Sequence, residues 1–198
     1  MGERLGLFGG SFDPVHRAHV ELARCALAEL RLDRVLWIPA GQPWQKARPM
    51  TPALHREAML RLALADEPRF AIDRRELQRP GPSYTLDTVR ELRAEHPDAQ
   101  LFLIIGQDQY AGFHTWEGWP EILQQVVLAV ANRPGLAPPV HLDVLRHRHQ
   151  VVPLPMLDIA ATDIRARVAR GERIDHLVPP EVARYIELKG LYRPHSGS

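Results

Sequence analysis

The chain has 198 residues, which suits one α/β domain, and its apolar content of 45% is enough to form an ordinary hydrophobic core. A formal net charge of +1 argues against a surface built to attract nucleic acid or an anionic membrane. The single cysteine, Cys25, excludes an internal disulfide framework, and no apolar run approaches the ~20 residues of a membrane span.

The N-terminal segment 5–19, LGLFGGSFDPVHRAH, predicts a buried strand, a glycine turn and a helix that begins near His16. Glycines let a backbone approach a ligand closely. The first turn of a helix presents N–H groups and the positive end of the helix dipole, which suit a phosphate. His16 and His19, three residues apart, share one face of this helix. The segment therefore predicts a concave, donor-rich spot at the carboxyl end of the first strand.

Simpler interpretations of the same segment stay open. The strand, the glycines and the helix could form only a tight connection, and Asp13-Pro14 could be only a turn. His16 and His19 could bind a metal ion, since imidazole is a common zinc ligand. No third ligand stands at a recognisable spacing from this pair.

Residues 34–39, RVLWIP, predict a second buried strand, which is followed by a loop rich in proline and glycine over 41–49. Loops at the carboxyl ends of strands carry binding groups in open α/β sheets. This loop contains Lys46, one of two lysines in the chain. Its ammonium group is a candidate phosphate ligand, and a solvated surface charge is the alternative.

A helix is predicted near 52–65, with Thr51 at its cap and a proline in its first turn. We expect His55 and Arg56 to face solvent on this helix. The expected apolar side consists of Leu54, Ala58, Met59, Leu62 and Ala63.

A strand at 70–73 precedes another helix, which begins with Ser83 or Thr85 as its cap and ends near Glu95. Thr85 could bind a ligand, and a capping role explains its hydroxyl group equally well. The apolar run 99–105 is typical of a strand buried on both faces.

Polar and aromatic residues follow the run 99–105 directly. Asp108 could accept a hydrogen bond from a ribose hydroxyl or could cap the next helix. Trp116 could stack on a flat heteroaromatic ring or anchor its loop to the core. The strand predicted at 126–131 leads to Arg133, which could contact phosphate or only line the rim.

The C-terminal part begins with a short strand at 151–154, whose proline predicts a sheet edge or a bulge. Residues 158–168 predict a helix with Thr162 as its cap and Arg165 in its first turn. An arginine beside free N–H groups would form a second anion cradle, and a surface salt bridge is the alternative. A last helix begins at 179–180, with Val182, Ile186 and Leu188 expected to pack inward.

The alternation of strands and helices predicts a doubly wound parallel sheet in a single domain, 1–198, whose part 158–192 is helical. In such sheets ligands bind across the carboxyl ends of the strands, where the strand order reverses. The candidate groups fall in or just after such strand ends: His16, His19, Lys46, Asp108, Trp116 and Arg165.

Several motifs carry a resemblance to a known family. Gly-Gly-x-Phe-Asp-Pro followed at once by His-x-x-His resembles the nucleotidylyltransferase superfamily, and GGSFDPVHRAHVELA is most similar to the bacterial nicotinate-mononucleotide adenylyltransferases. The segments at 82–88, 106–108, 113–119 and 159–165 are similar to motifs of the same family. The chain departs from the family pattern at Ala18, where the family has glycine, at Trp44-Gln45, and at Ala160 and Ala161, where the family has serines.

The resemblance implies a Rossmann-like nucleotidylyltransferase fold and the transfer of an adenylyl group from ATP to nicotinate mononucleotide in NAD biosynthesis, with Mg²⁺ accompanying ATP. It implies catalysis by His16, His19, Lys46 and Arg165. It implies ATP binding by Gly9, Gly10, Ser11, Phe12, His16, His19, Gly106, Asp108, Thr162 and Arg165. It implies binding of the second substrate by Lys46, Tyr84, Thr85, Trp116 and Arg133.

Other functions stay open at this point. The enzyme could prefer nicotinamide mononucleotide or phosphopantetheine, or the chain could be a nucleotide-binding protein without catalysis or a structural metal-binding module. We expect ATP and nicotinate mononucleotide as partners, and neither nucleic acid nor a membrane. A homo-oligomer is left open. We expect no secretory signal, because the first apolar run is short and broken by glycines, and therefore expect a cytoplasmic protein.

Overall fold

The computed structural model describes residues 2–41, 49–132, 135, 137–154 and 157–195. Its strands are β1 (Arg4–Gly10), β2 (Arg34–Pro39), β3 (Phe70–Ile72), β4 (Gln100–Ile105), β5 (Val126–Asn132) and β6 (His149–Pro153). Its α-helices are α1 (Arg17–Glu29), α2 (Ala53–Leu64), α3 (Arg75–Gln78), α4 (Thr85–Glu95), α5 (Gln107–Ala111), α6 (Trp119–Gln125), α7 (Leu142–Leu145), α8 (Ala161–Ala169) and α9 (Pro180–Lys189), with a 3₁₀ turn at Phe113–Thr115.

The strands form one parallel sheet in the order β3-β2-β1-β4-β5-β6. The chain builds outward from β1 to β3 and then returns to the other side of β1 for β4, β5 and β6. The strand order therefore reverses between β1 and β4, the point at which such sheets open a binding crevice. The predicted doubly wound sheet is confirmed, and the proline-containing strand β6 lies at the sheet edge as expected.

Two hydrophobic clusters, one on each face, hold the sheet. Because strand side chains alternate, Leu101 and Leu103 of β4 pack on one face and Phe102 and Ile104 on the other. The first face is covered by α4 and α6, and the second by α1, α2, α8 and α9. Burial on both faces explains why the central strands are continuous apolar runs.

Helix α2 differs most from its prediction. Arg56, expected in solvent, is 2% exposed, and Leu60 is fully buried. Leu54, expected to pack inward, is 75% exposed. Of the predicted apolar side, Met59 is fully buried and Ala63 packs against the core as expected, whereas Leu62 is exposed like Leu54. Leucines lie on both sides of this helix, so its periodicity is weak and predicts the buried side only in part. Leu188 of α9 was likewise expected inside and is 77% exposed, whereas Val182 and Ile186 are buried as predicted.

The predicted hydroxyl caps were also wrong. The cap residues are Pro52 for α2, Tyr84 for α4 and Ala160 for α8. Each predicted threonine lies within two residues of the cap, and helix ends inferred from residue type carry that uncertainty. Helix α3, which follows β3, was not predicted. Along the described residues, none of the helices combines the length and the apolar character that crossing a membrane requires.

Candidate active site

The loop between β1 and α1 is anchored by Asp13. Asp13 is 2% exposed, and its carboxylate accepts hydrogen bonds from the Thr51 backbone N–H at 3.1 Å and from the Tyr192 hydroxyl. The Asp13-Pro14 peptide bond is cis. Phe12, just before it, is buried edge-on against Phe8, with ring centroids 5.5 Å apart. The hydrogen bonds of Asp13 and the packing of Phe12 on Phe8 therefore both hold this loop in place.

The two histidines at the start of α1 form a stacked pair. Their ring centroids are 3.6 Å apart, and His16 is the cap residue of the helix. The His16 backbone N–H donates a hydrogen bond of 3.1 Å to Nδ1 of His19. A ring nitrogen that accepts carries no proton, so neutral His19 carries its proton on Nε2. His19 is thus prepared to donate from Nε2 to an anionic oxygen.

Ala18 stands between the two histidines in the sequence, in the first turn of α1. The residue is 5% exposed and belongs to the hydrophobic cluster that α1 forms with the sheet. The methyl group that distinguishes it from the family's glycine is therefore accommodated in the core.

Arg165 reaches this loop from α8. Its Nη1 donates to the Asp13 carbonyl oxygen at 2.8 Å, and its Nη2 donates to Oγ1 of Thr162 at 3.2 Å. The guanidinium group therefore contacts the loop that leads into His16 and His19, although 152 residues separate it from Asp13. Thr162, expected as a helix cap, instead accepts from this arginine.

A cavity of about 230 Å³ opens between the carboxyl ends of the central strands and α4. Four of its lining residues were predicted as binding residues: Gly9, Gly10, Thr85 and Trp116. Trp116 also packs on Phe113, with ring centroids 4.6 Å apart, so it forms a cavity wall and contacts the core. Other predicted site residues that the structure describes are not part of this lining, among them Tyr84, His16, His19, Asp108 and Arg165.

The cavity contains a polar group that sequence reasoning missed. The Thr88 hydroxyl donates to Oε2 of Glu76 at 2.8 Å, and Arg79 donates to the hydroxyl groups of Ser83 and Thr88. Burial raises the pKa of the Glu76 carboxyl, and the hydrogen bond from Thr88 opposes that rise. The only sequence signal for this group was the presence of Ser83 and Thr88 in the Pro-Ser-Tyr-Thr-x-Asp-Thr motif.

Gly106 and Asp108 follow β4 at the point where the strand order reverses. Gly106 is the cap residue of α5, and its N–H donates to Oε1 of Gln109 at 3.0 Å. Asp108 lies in the first turn of this helix and is exposed. Its placement agrees with the predicted position at a strand end beside β1.

Arg56 is a second group that the sequence did not indicate. Its guanidinium donates to the carbonyl oxygens of Thr51 and Ala40 at 2.8 Å, of Ser11 at 3.0 Å and of Gly41 at 3.3 Å. It thereby joins the β1–α1 loop, the end of β2 and the start of α2. Burial lowers its pKa, and the nearby Asp13 carboxylate opposes that shift.

Two predicted site residues, Lys46 and Arg133, lie outside the described residues, as does Trp44. Within the part of the chain that the structure describes, there is no group of three or more His, Cys, Asp or Glu side chains that could hold a metal ion.

Comparison with protein families and curated proteins gives consistent matches along the chain. Residues 7–167 match the family model described as cytidylyltransferase-like. The chain is 51% identical over 197 residues to the probable nicotinate-nucleotide adenylyltransferase of Bordetella petrii, covering 96% of this chain and 100% of that protein. It is 46% identical over 200 residues to the protein of the same name from Methylibium petroleiphilum, covering 98% and 94% of the two chains.

Solved structures show the same architecture. The chain is similar to Plasmodium falciparum nicotinic acid mononucleotide adenylyltransferase complexed with NaAD, with a TM-score of 0.78 and 17% identity over 96% of this chain and 97% of that one. The same protein complexed with APC gives a TM-score of 0.78 at 16% identity, again over 96% and 97% of the two chains. At this level of identity the similarity establishes the fold alone.

Proposed function

This chain belongs to the nicotinate-nucleotide adenylyltransferases of the cytidylyltransferase-like family, and we propose that it transfers the adenylyl group of ATP to nicotinate mononucleotide. The products are nicotinate adenine dinucleotide and pyrophosphate, and the reaction is a step of NAD biosynthesis. The function is thus that of a nucleotidyltransferase.

The observation that carries this proposal is the contact between Arg165 and the loop of the paired histidines. The 2.8 Å hydrogen bond from Arg165 to the Asp13 carbonyl brings a guanidinium group beside the N-terminus of α1. A guanidinium group from the C-terminal part and N–H donors from the N-terminal part thus come together at the loop that follows β1. Such a set of donors suits a polyphosphate, whose oxygens carry the charge that develops during transfer.

The chemical step is a direct displacement at phosphorus. A phosphate oxygen of nicotinate mononucleotide forms a bond to the α-phosphorus of ATP, and the bond from that phosphorus to the α,β-bridging oxygen breaks. The electron pair of the broken bond leaves with pyrophosphate. Cys25 does not suit a covalent intermediate, because burial and Glu21 raise the pKa of its thiol. Catalysis then rests on positioning and charge stabilisation.

The hydrogen-bond geometry of His19 and Arg165 supports the roles that we propose for them. His19, with its proton on Nε2, would donate to a phosphate oxygen as negative charge shifts toward pyrophosphate. His16 stacks on His19 and supports its ring. Arg165 would hold the triphosphate, and Lys46 keeps its proposed role as a second phosphate cation. Asp108, exposed in the first turn of α5, would accept a hydrogen bond from a hydroxyl group of the ATP ribose.

The cavity beside this crevice suits the pyridine nucleotide. Its volume of about 230 Å³ and the wall formed by Trp116 would accommodate a flat ring. Thr85 lies in the first turn of α4, where backbone N–H groups lack intrahelical partners and favour an anionic carboxylate. The Tyr84 and Arg133 assignments rest on the sequence motifs.

Mg²⁺ is proposed to accompany ATP rather than to occupy a site built from protein carboxylates. Arg165 and the N–H groups at the start of α1 suit phosphate oxygens and not a metal cation. When bound to the triphosphate, Mg²⁺ neutralises charge on its oxygens. We propose that the partners are small nucleotides and not nucleic acid or a membrane, and that the reaction takes place in the cytoplasm.

The test is pyrophosphate release from the purified full chain with ATP and Mg²⁺. Nicotinate mononucleotide, nicotinamide mononucleotide and phosphopantetheine are compared as acceptors at equal concentrations. We expect the highest kcat/KM with nicotinate mononucleotide. A preference for either other acceptor identifies the corresponding adenylyltransferase. Tight ATP binding without any release of pyrophosphate identifies a nucleotide-binding protein instead.

A further inference from the structure

Tyr192 lies three residues beyond the end of α9, in a segment that the proposed reaction does not use. Its backbone φ is +64°, a left-handed conformation that side chains other than glycine seldom adopt. Such a conformation persists where surrounding contacts determine it, and it often marks a functional segment. Here the determining contact is made by the phenol group, which turns back into the protein.

That phenol donates its hydrogen bond to Oδ1 of Asp13, the residue that anchors the β1–α1 loop. The other carboxylate oxygen of Asp13 accepts from the Thr51 backbone N–H, and the Asp13 carbonyl accepts from Arg165. Asp13 stands three residues before His16. One residue thus connects the C-terminal segment, the start of α2, Arg165 and the histidine loop.

We propose that Tyr192 is a positioning residue for the proposed adenylyl transfer, acting through Asp13 to hold the histidine loop and Arg165 in their reactive arrangement. The inference rests on the proposed function. It adds to the proposed site a residue of the C-terminal segment, which is far in sequence from the histidine loop. The Tyr192 phenol also shares a hydrogen bond with the Thr51 side chain and interacts electrostatically with Arg165, but it bonds to the histidine loop at Asp13.

The surroundings of Tyr192 keep its hydroxyl group protonated. Burial and the Asp13 charge both raise the pKa of Tyr192, so the phenol retains its proton and remains a donor. Arg56, buried nearby and bonded to the Ser11 carbonyl, supplies the positive charge that balances Asp13. Tyr192 therefore acts as a fixed hydrogen-bond donor and not as a proton-transfer group.

The first test compares Tyr192→Phe with Tyr185→Phe in the full chain. Both substitutions remove one phenol oxygen near α9, but the Tyr185 hydroxyl contacts Nδ1 of His55 at 2.8 Å, away from the histidine loop. We expect Tyr192→Phe to lower kcat at least about tenfold, since a misplacement of about 1 Å costs up to ~10²-fold. The KM values for both substrates change less than about twofold. Tyr185→Phe retains the wild-type kcat.

The second test asks whether the effect passes through Asp13. Asp13→Asn and the double variant with Tyr192→Phe complete a double-mutant cycle on kcat. If Tyr192 acts through Asp13, kcat of the double variant is no lower than kcat of the less active of the two single variants. Additive losses overturn the proposal, as does a wild-type kcat in Tyr192→Phe.

The remaining outcomes are also decisive. If circular dichroism shows that Tyr192→Phe does not fold, Asp13→Asn alone is assayed, and the proposal requires a fall in its kcat at nearly constant KM. A rise in KM with constant kcat overturns it. An inactive wild-type chain would refute the proposed adenylyl transfer itself, whereas an active wild type with an equally active Tyr192→Phe refutes only this inference.

Discussion

At the scale of single residues, the hydrogen bond between His16 and His19 determines which ring nitrogen of His19 carries the proton. The sequence indicated two imidazoles on one helix face, but either nitrogen of His19 could have faced the ligand. The backbone N–H of His16 occupies Nδ1, and this leaves Nε2–H as the donor. The donor therefore exists in the neutral ring, without a requirement for protonation.

The substitution His19→Ala tests that donor. We expect kcat for pyrophosphate release to fall by about 10²–10³, the usual loss when one donor to developing charge is removed. Circular dichroism should show an unchanged fold. His114→Ala is the control, because His114 is an exposed histidine that stacks on His141 instead. A His19→Ala variant with near-normal turnover would contradict the assigned role.

Glu76 gives a prediction about pH. Its carboxyl pKa is raised in the folded protein, so folding disfavours its charged form, and its contribution to stability is lost as pH rises above about 4.5. Glutamine can still accept from Thr88 but carries no charge. We therefore expect Glu76→Gln to raise Tm relative to wild type at pH 8, with a difference that shrinks toward pH 4.

The control for this pH series is Glu121→Gln. Arg90 lowers the pKa of the exposed Glu121 carboxyl, so removing that charge brings no gain in Tm at pH 8. Differential scanning fluorimetry across pH 4–8 measures both variants. A Tm gain in Glu76→Gln that is the same at both ends of the range would mean that desolvation of the charge is not its cause.

At the scale of elements, helix α2 shows where sequence periodicity fails. Leucines lie on several sides of this helix, so a weak period did not decide which side faces the sheet. The structure turns Met59 and Leu60 inward and leaves Leu54 in solvent. The same orientation carries Arg56 into the protein, where four carbonyl oxygens accept its hydrogen bonds.

Two leucine substitutions test the orientation of α2. Leu60 is fully buried, so Leu60→Ala should lower the free energy of unfolding by about 2–5 kcal/mol. Leu54 is 75% exposed, so Leu54→Ala should change it by less than about 0.5 kcal/mol. Urea denaturation of both variants measures the difference. Similar losses in the two would show that the helix faces the other way.

At the scale of the whole molecule, the sequence predicted one domain over 1–198 with a helical C-terminal part. Helices α8 and α9 share the hydrophobic cluster of α1 and α2 through Ile164, Val182 and Ile186. Arg165 and Tyr192 add polar contacts to the N-terminal loop. We therefore expect that the C-terminal part cannot unfold without disturbing the β1–α1 loop.

Unfolding experiments test this single-domain prediction. We expect one cooperative thermal transition, with equal calorimetric and van't Hoff enthalpies. Nicotinate adenine dinucleotide at about 100 times its Kd should stabilise that whole transition by about 2.7 kcal/mol. Two transitions, of which only one responds to the dinucleotide, would show instead that the C-terminal helices form a separate unit.

The strands and the site motifs could be read from the sequence because their signals are local. The run 34–39 matches β2 residue for residue, since a parallel strand buried on both faces must be a continuous apolar run. The alternation of such runs with helices predicted the parallel sheet. It also predicted that His16, Asp108 and Trp116 follow the carboxyl ends of its strands. The family motifs lie at the same strand ends.

Only the tertiary structure decided the partners of the buried polar groups. Arg56 had the appearance of a surface residue, and nothing near Asp13 in the chain indicated that Tyr192 and Arg165 would bind it. Those contacts span 179 and 152 residues, so they depend on how the elements pack and not on any local pattern. Burial then makes the contacts necessary, because a charge or a carbonyl removed from water must find its partner within the protein.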